Sequence, residues 1–97
     1  MDVRVRLYGI FRSTAGASEL RLDIPKDGAT VRSVIEQLLS REELQSLRAL
    51  LMNGTSWDPR PNALIMVSGR EINTLNGLDT ELTQYDELAL LPIAHGG

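Results

Sequence analysis

The chain contains no cysteine. That excludes disulfides, iron–sulfur clusters and thiolate catalysis, and it is compatible with a reducing cytoplasm. It contains a single histidine, His95, so clusters of imidazole ligands are excluded and a histidine-dependent triad has little to build on. Aromatic side chains are scarce: Tyr8, Phe11, Trp57 and Tyr85 are the whole set, which leaves the core to aliphatic residues. A formal net charge of -3 lacks the basic surplus expected of a nucleic-acid binder. No apolar stretch approaches the ~20 residues needed to cross a bilayer, and residues 1–4 show strand-like alternation instead of the apolar segment of a signal peptide. The expectation is a small cytoplasmic domain with neither a membrane nor a nucleic-acid partner.

What is present is the material of one folded unit. The 97 residues, 42% of them hydrophobic, are enough for one domain that buries about two-thirds of its unfolded surface. Val3, Val5 and Leu7 alternate with Arg4, Arg6 and Tyr8, the period of two of a half-buried strand. Residues 9–18, with two glycines and small polar side chains, read as a loop. Leu20, Leu22 and Ile24 form a second alternation that Pro25 ends, so the two strands are expected to pair as a hairpin. Thr30 suits a helix N-cap. Beyond it Val31, Val34, Ile35, Leu38 and Leu39 define one face of an amphipathic helix. Ser40 and Glu43 have capping-box spacing, predicting a second, shorter helix over residues 41–52 with Leu44, Leu47, Leu50 and Leu51 inward and Asn53-Gly54 as its stop.

Residues 55–62 read as a loop and residues 63–67 as a third strand, followed by a tight turn over residues 68–71. Residues 72–83 look irregular, anchored by Ile72, Leu75, Leu78 and Leu82, and residues 87–91 form the last strand. A hairpin, a helix and further strands predict an α+β layer. The arrangement that fits is a β-grasp: a mixed sheet of four or five strands packed on one main helix plus a short second helix, with the last strand beside the first.

The third and last strands are apolar at both parities. Leu64, Met66, Ala89 and Leu91 accompany Ala63, Ile65, Val67, Leu88 and Leu90, whereas a sheet with one open face normally alternates to polar there. Either the open face carries an apolar partner patch, or loops of the chain itself cover these strands.

No nucleophile, base and acid form a constellation, and no catalytic or metal-binding residue is assigned. Asp79, Glu81, Asp86 and Glu87 crowd one region but read as solvated or capping groups. Arg4 and Arg6 read as a solvated strand face, and Trp57 as a loop residue folded onto the core. The reactive feature is the end of the chain, Leu91-Pro92-Ile93-Ala94-His95-Gly96-Gly97. Pro92 marks a strand end, and Gly96 and Gly97 lack Cβ and add almost no bulk. Residues 1–91 are expected to form the domain and residues 92–97 a flexible tail, able to reach about 20 Å at ~3.3–3.6 Å per residue. A terminal glycine carboxylate, made into an anhydride with ATP, would become an acyl donor inside a partner's narrow site. The alternative is a small terminus of no special role.

Ala15-Gly16-Ala17-Ser18-Glu19-Leu20, then Asp27-Gly28-Ala29-Thr30-Val31, then Asn76-Gly77-Leu78-Asp79-Thr80, Asp86-Glu87, Pro92 and Gly96-Gly97 follow one another in an order that resembles the MoaD/ThiS group of ubiquitin-like sulfur carriers. The group includes the molybdopterin synthase small subunit and the archaeal-type small ubiquitin-like modifiers. The resemblance implies that an E1-like enzyme adenylates Gly97 and that the adenylate is converted to a thiocarboxylate. The sulfur then passes to a synthase large subunit (MoaE-like in molybdenum cofactor biosynthesis) or to another acceptor. It implies that Pro92, Ile93, Ala94, His95 and Gly96 enter the partner's pocket. It also implies that no cofactor is bound, ATP and the sulfur source being used by the activating partner. Two other readings stay open: a modifier joined through Gly97 to target lysines, and a plain β-grasp binding module. His95 is either a contact in the partner's pocket or an exposed passenger.

Overall fold

The protein is represented by a computed structural model that describes residues 1–93. Ala94, His95, Gly96 and Gly97 lie outside the described residues.

The alternation at the start of the chain becomes strand β1 (Asp2–Leu7), which pairs antiparallel with β2 (Glu19–Asp23). On its other side β1 runs parallel to β5 (Glu87–Pro92), with Leu7 opposite Leu90. β5 pairs antiparallel with β3 (Ala63–Val67), which in turn meets the two-residue β4 (Arg70–Glu71). The order β2-β1-β5-β3-β4 places the last strand in the middle of a mixed five-stranded sheet. This is the expected β-grasp, with the last strand beside the first.

Helix α2 (Val31–Leu39) covers one face of that sheet and buries all five residues of its apolar stripe. Its start is fixed from both directions. Thr30 Oγ1 accepts from the Ser33 amide at 3.1 Å, and the Thr30 amide donates to Ser33 Oγ at 2.9 Å. The Val31 amide also reaches the Thr80 carbonyl, and the Leu82 amide reaches that of Ala29. The irregular 72–83 segment is thereby tied to the helix, with Ile72, Leu78 and Leu82 buried and Leu75 half-buried.

Three local expectations are corrected. Residues 9–18 are not simply a loop, because helix α1 (Gly9–Ala15) occupies most of them. Its Gly, Ser and Thr content hides it from propensity, and it forms because Phe11 is driven into the core. A seven-residue helix depends on such packing far more than on intrinsic preference. The predicted helix over residues 41–52 is instead a 3₁₀ turn (Glu42–Leu44) followed by α3 (Gln45–Leu51). The capping box of Ser40 is absent: its hydroxyl donates back to the Gln37 carbonyl at 2.7 Å, serving the end of α2. Finally, the 68–71 turn is narrower than expected. Ser68 and Gly69 take the left-handed conformation, with φ of 48° and 83°, the twist that two-residue hairpin loops favour, and Arg70 and Glu71 already belong to β4.

Candidate functional site

β5 ends one residue later than expected, at Pro92, which sits opposite Ala63 at the margin of the sheet, where a residue without an N–H is tolerated. The chain leaves the domain there, and three contacts fix its direction. The Tyr8 amide donates to the Leu90 carbonyl at 3.2 Å, extending the pairing with β1. The Ile93 amide donates to the Asn62 carbonyl at 3.2 Å, extending the pairing with β3. Between Tyr8 and Ile10, Gly9 adopts φ of +53° and lies so close to Pro92 that a β-carbon would sit 2.8 Å from Pro92 Cγ.

Asn62 is itself held rigidly. Its side-chain amide donates to the carbonyls of Leu51 and Asn53, each at 2.9 Å, and its backbone amide donates to Pro59. The end of α3 is thus linked to the root of the tail. A cleft of about 140 Å³ lies beside that root, lined by Ile10, Phe11, Leu50, Asn62, Pro92 and Ile93 among others.

The parity question is answered by the ladder. Ala63, Ile65, Val67, Leu88 and Leu90 face the core, so Leu64, Met66, Ala89 and Leu91 lie on the open face. There the register sets Leu64 opposite Leu91 and Met66 opposite Ala89. Leu64 is 39% exposed and the other three are half-buried, so helices do not cover the four. Tyr8, Ile10 and Ile93 are exposed close by. Four of the five exposed large hydrophobic residues among the described ones therefore form a collar around the point where the tail begins. Tyr85 is the fifth, and it stands in the turn two residues before β5.

Across β1 and β2 the same face turns polar. Arg4 and Arg21 are paired across the strands, as are Arg6 and Glu19. The Glu87 carboxylate stands between Arg4 and Arg6, at 3.7 and 3.6 Å. These are ion-pair distances too long for hydrogen bonds, and Arg6 Nε is buried without a hydrogen-bond partner. The open face thus grades from guanidinium groups to aliphatic side chains.

The crowded carboxylates do not converge. Asp79 pairs with Arg32 at 3.6 Å, Asp86 accepts from Ser68 and Thr83, and Glu87 belongs to the arginine stripe. Trp57 packs half-buried against the core with Arg32 over its ring, 5.5 Å from the centroid. In the same loop the Arg60 guanidinium hydrogen-bonds Asp58 at 2.8 and 2.9 Å. This holds the Asp58 carboxyl below its usual range and raises Arg60. Among the described residues no group of acidic or histidine side chains is placed to hold a metal ion, and no helix is long and apolar enough to cross a membrane.

Sequence reasoning missed Gly9 and Asn62. A glycine directly after a strand was a visible signal for the first. Nothing local marked Asn62, whose side-chain amide finds its carbonyl partners, Leu51 and Asn53, at the end of α3.

A family model described as the ThiS family matches residues 5–97. Small archaeal modifier protein 3 of Haloferax volcanii is 28% identical over 99 residues, covering the whole of both chains. The solution structure of small archaeal modifier protein 1 from Methanosarcina acetivorans superposes with a TM-score of 0.78 at 28% identity, over 99% of this chain and 96% of that one. A putative molybdopterin converting factor, subunit 1, from Pyrococcus furiosus gives 0.73 at 28% identity, over 97% and 99%.

Proposed function

The chain belongs to the ThiS family, and from that premise we propose that it is a cytoplasmic ubiquitin-like sulfur carrier activated at Gly97. In the first step the Gly97 carboxylate attacks the α-phosphate of ATP on an E1-like enzyme, and pyrophosphate leaves. A sulfur nucleophile from a donor then displaces AMP, leaving a thiocarboxylate. The ATP and the sulfur source belong to the activating partner, and the carrier supplies the acyl end and the surface by which it is held. The acceptor is a synthase large subunit of the MoaE type, a reading supported by the subunit name of the Pyrococcus furiosus neighbour.

One observation carries this reading. The central strand of the sheet ends at Pro92, five residues before Gly97 in sequence, at a root set by Gly9 and Asn62 and ringed by Tyr8, Ile10, Leu64 and Ile93. A partner that accepts the tail in a narrow channel can close an apolar rim against that ring, excluding water from the anhydride. Incubation with the cognate activating enzyme, ATP and a sulfur donor should raise the intact mass by the difference between sulfur and oxygen. An unchanged mass with a demonstrably active enzyme overturns the reading.

Conjugation of Gly97 to lysines of other proteins is the second reading, favoured by the names of the two archaeal modifier relatives. It predicts Gly-Gly remnants on target lysines after tryptic digestion. A plain binding module predicts instead that removing Gly97 changes nothing.

A further inference from the structure

Asparagine followed by glycine occurs twice in the chain, at Asn53-Gly54 and at Asn76-Gly77. Asparagine is among the thermolabile residues, and a following glycine favours its loss of ammonia. The glycine nitrogen can attack the side-chain amide carbon because no β-carbon shields it. The two sites are alike in sequence and differ in structure.

Asn76-Gly77 sits in a turn closed by hydrogen bonds. The Asn76 amide donates to Thr80 Oγ1 at 3.0 Å, and the Asn76 carbonyl accepts from the Asp79 amide at 3.1 Å. The Gly77 carbonyl accepts from the Thr80 amide at 3.1 Å and from the Thr80 hydroxyl at 2.7 Å. Leu78 and Thr80 are buried, and a β-carbon on Gly77 would meet the Arg60 guanidinium at 3.8 Å. Bringing the Asn76 side chain onto the next nitrogen turns the backbone between these bonds, and each one broken has a cost.

Asn53-Gly54 is open. Both residues are exposed in the turn that follows α3. Gly54 makes no backbone hydrogen bond among the described residues, and nothing lies within 4 Å of the place its β-carbon would take. The Asn53 carbonyl, however, accepts from the Asn62 side chain at 2.9 Å. That bond serves the tail root, because the Asn62 carbonyl in turn holds the Ile93 amide at 3.2 Å. Asn53 also lines the apolar cleft beside Pro92 and Ile93.

We propose that Asn53 is a site of spontaneous deamidation, and that isoaspartate formed there removes one of the two carbonyl anchors of Asn62 and loosens the tail root. The proposal stands apart from the chemistry assigned to Gly97. The deprotonated Gly54 nitrogen attacks Asn53 Cγ and closes a five-membered imide. The Cγ–Nδ2 bond breaks, its electron pair leaves on the nitrogen, and that nitrogen takes up a proton to depart as ammonia. Water then opens the ring. Breaking the bond from the Gly54 nitrogen to Cγ gives aspartate, whereas breaking the bond to the main-chain carbonyl carbon gives isoaspartate. In isoaspartate the chain runs through Cβ and Cγ, and the former main-chain carbonyl becomes a free carboxylate. An anion just past the end of α3 is repelled by the negative pole of that helix. The new carboxylate therefore turns to water, and Asn62 keeps only the Leu51 carbonyl as a side-chain anchor.

The test ages the full-length protein in mildly alkaline buffer and follows its tryptic peptides by mass. Asn53 falls in the peptide of residues 49–70 and Asn76 in that of residues 71–97. The first should gain the difference between a hydroxyl and an amino group, at Asn53 and with isoaspartate present, well before the second changes. In urea the two sites should react alike. Asn53→Gln, whose ring would need one more atom, should show no gain at that position. The modified protein, separated by its extra negative charge, should exchange the Ile93 amide about fivefold faster, the weight of one ordinary hydrogen bond. Fresh Asn53→Asp adds the charge but keeps the peptide carbonyl, and should exchange Ile93 more slowly than the modified protein. Deamidation at Asn76 as early as at Asn53, no deamidation at either, or aspartate as the sole product overturns the proposal. So does a preference for Asn53 that persists in urea, which would place its cause in the sequence. Unchanged Ile93 exchange after modification, or equal acceleration in Asn53→Asp, overturns the link to the tail root.

Discussion

Gly9 and Pro92 are packed so closely that a β-carbon on the glycine would lie 2.8 Å from the proline Cγ. Two costs would therefore fall on Gly9→Ala. Its φ of +53° is a left-handed conformation that costs an ordinary residue about 1–2 kcal/mol, and the methyl group must push Pro92 aside. Chemical unfolding should show a loss of about 1–3 kcal/mol. Formation of the Gly97 adenylate should also slow by more than the unfolded fraction explains, because the tail would leave at a changed angle. Normal kinetics in a folded variant would show that the direction of exit is set elsewhere.

Asn62 joins the end of α3 to the tail root through side-chain bonds to Leu51 and Asn53 and a backbone bond from Ile93. Asn62→Ala removes both side-chain donors and leaves two carbonyls short of a partner. A cost of about 1–3 kcal/mol follows, readable as a lowered urea midpoint with an unchanged slope. Hydrogen exchange at the Ile93 amide should accelerate more than exchange in β1, if the asparagine anchors the root specifically.

The elements that could be read in the sequence are those in which one face meets one core. β1, β2 and α2 each show a clean period, and the apolar runs of β3 and β5 read as strands whose two faces the sequence left unassigned. α1 could not be read, because its single deep anchor, Phe11, gives no periodicity and its glycine and hydroxyl residues mimic a loop. The start of α3 was misread because Ser40 meets the end of one helix before it can begin the next, and a local motif cannot show which use wins. At the site, the apolar residues of both parities were visible in the chain. Only the register decided that Leu64 and Leu91 share the open face. Gly9 and Asn62 act through partners about 80 and 30 residues away in sequence, a separation beyond the reach of local patterns.

Asp58 gives the loop before β3 a dependence on acidity. The Arg60 hydrogen bonds hold its folded pKa below 3.8, so its stabilising contribution is complete above that ordinary value and disappears as the pH falls through the lower folded one. Asp58→Asn should therefore melt below the wild type at neutral pH, and the difference should shrink as the pH drops beneath about 3.8. The group is partly exposed, so the effect should be small and weaken with added salt. A gap that stays constant down to strong acid would show that the carboxylate's charge is irrelevant to the loop.

Leu64 tests whether the collar is a binding surface. Its side chain is 39% exposed and faces Leu91 across the open side of the sheet, so Leu64→Asp removes little core contact and should change the folding free energy by no more than about 1 kcal/mol. If the activating enzyme closes on the apolar ring, the same substitution places a charge inside a desolvated contact, and the dissociation constant measured by calorimetry should rise about tenfold or more. Glu36→Ala, on the exposed side of α2, should leave it unchanged. Because the tail is identical in both variants, a loss confined to Leu64→Asp separates docking of the domain from insertion of its end. Equal affinity for both would place the whole of recognition in residues 92–97.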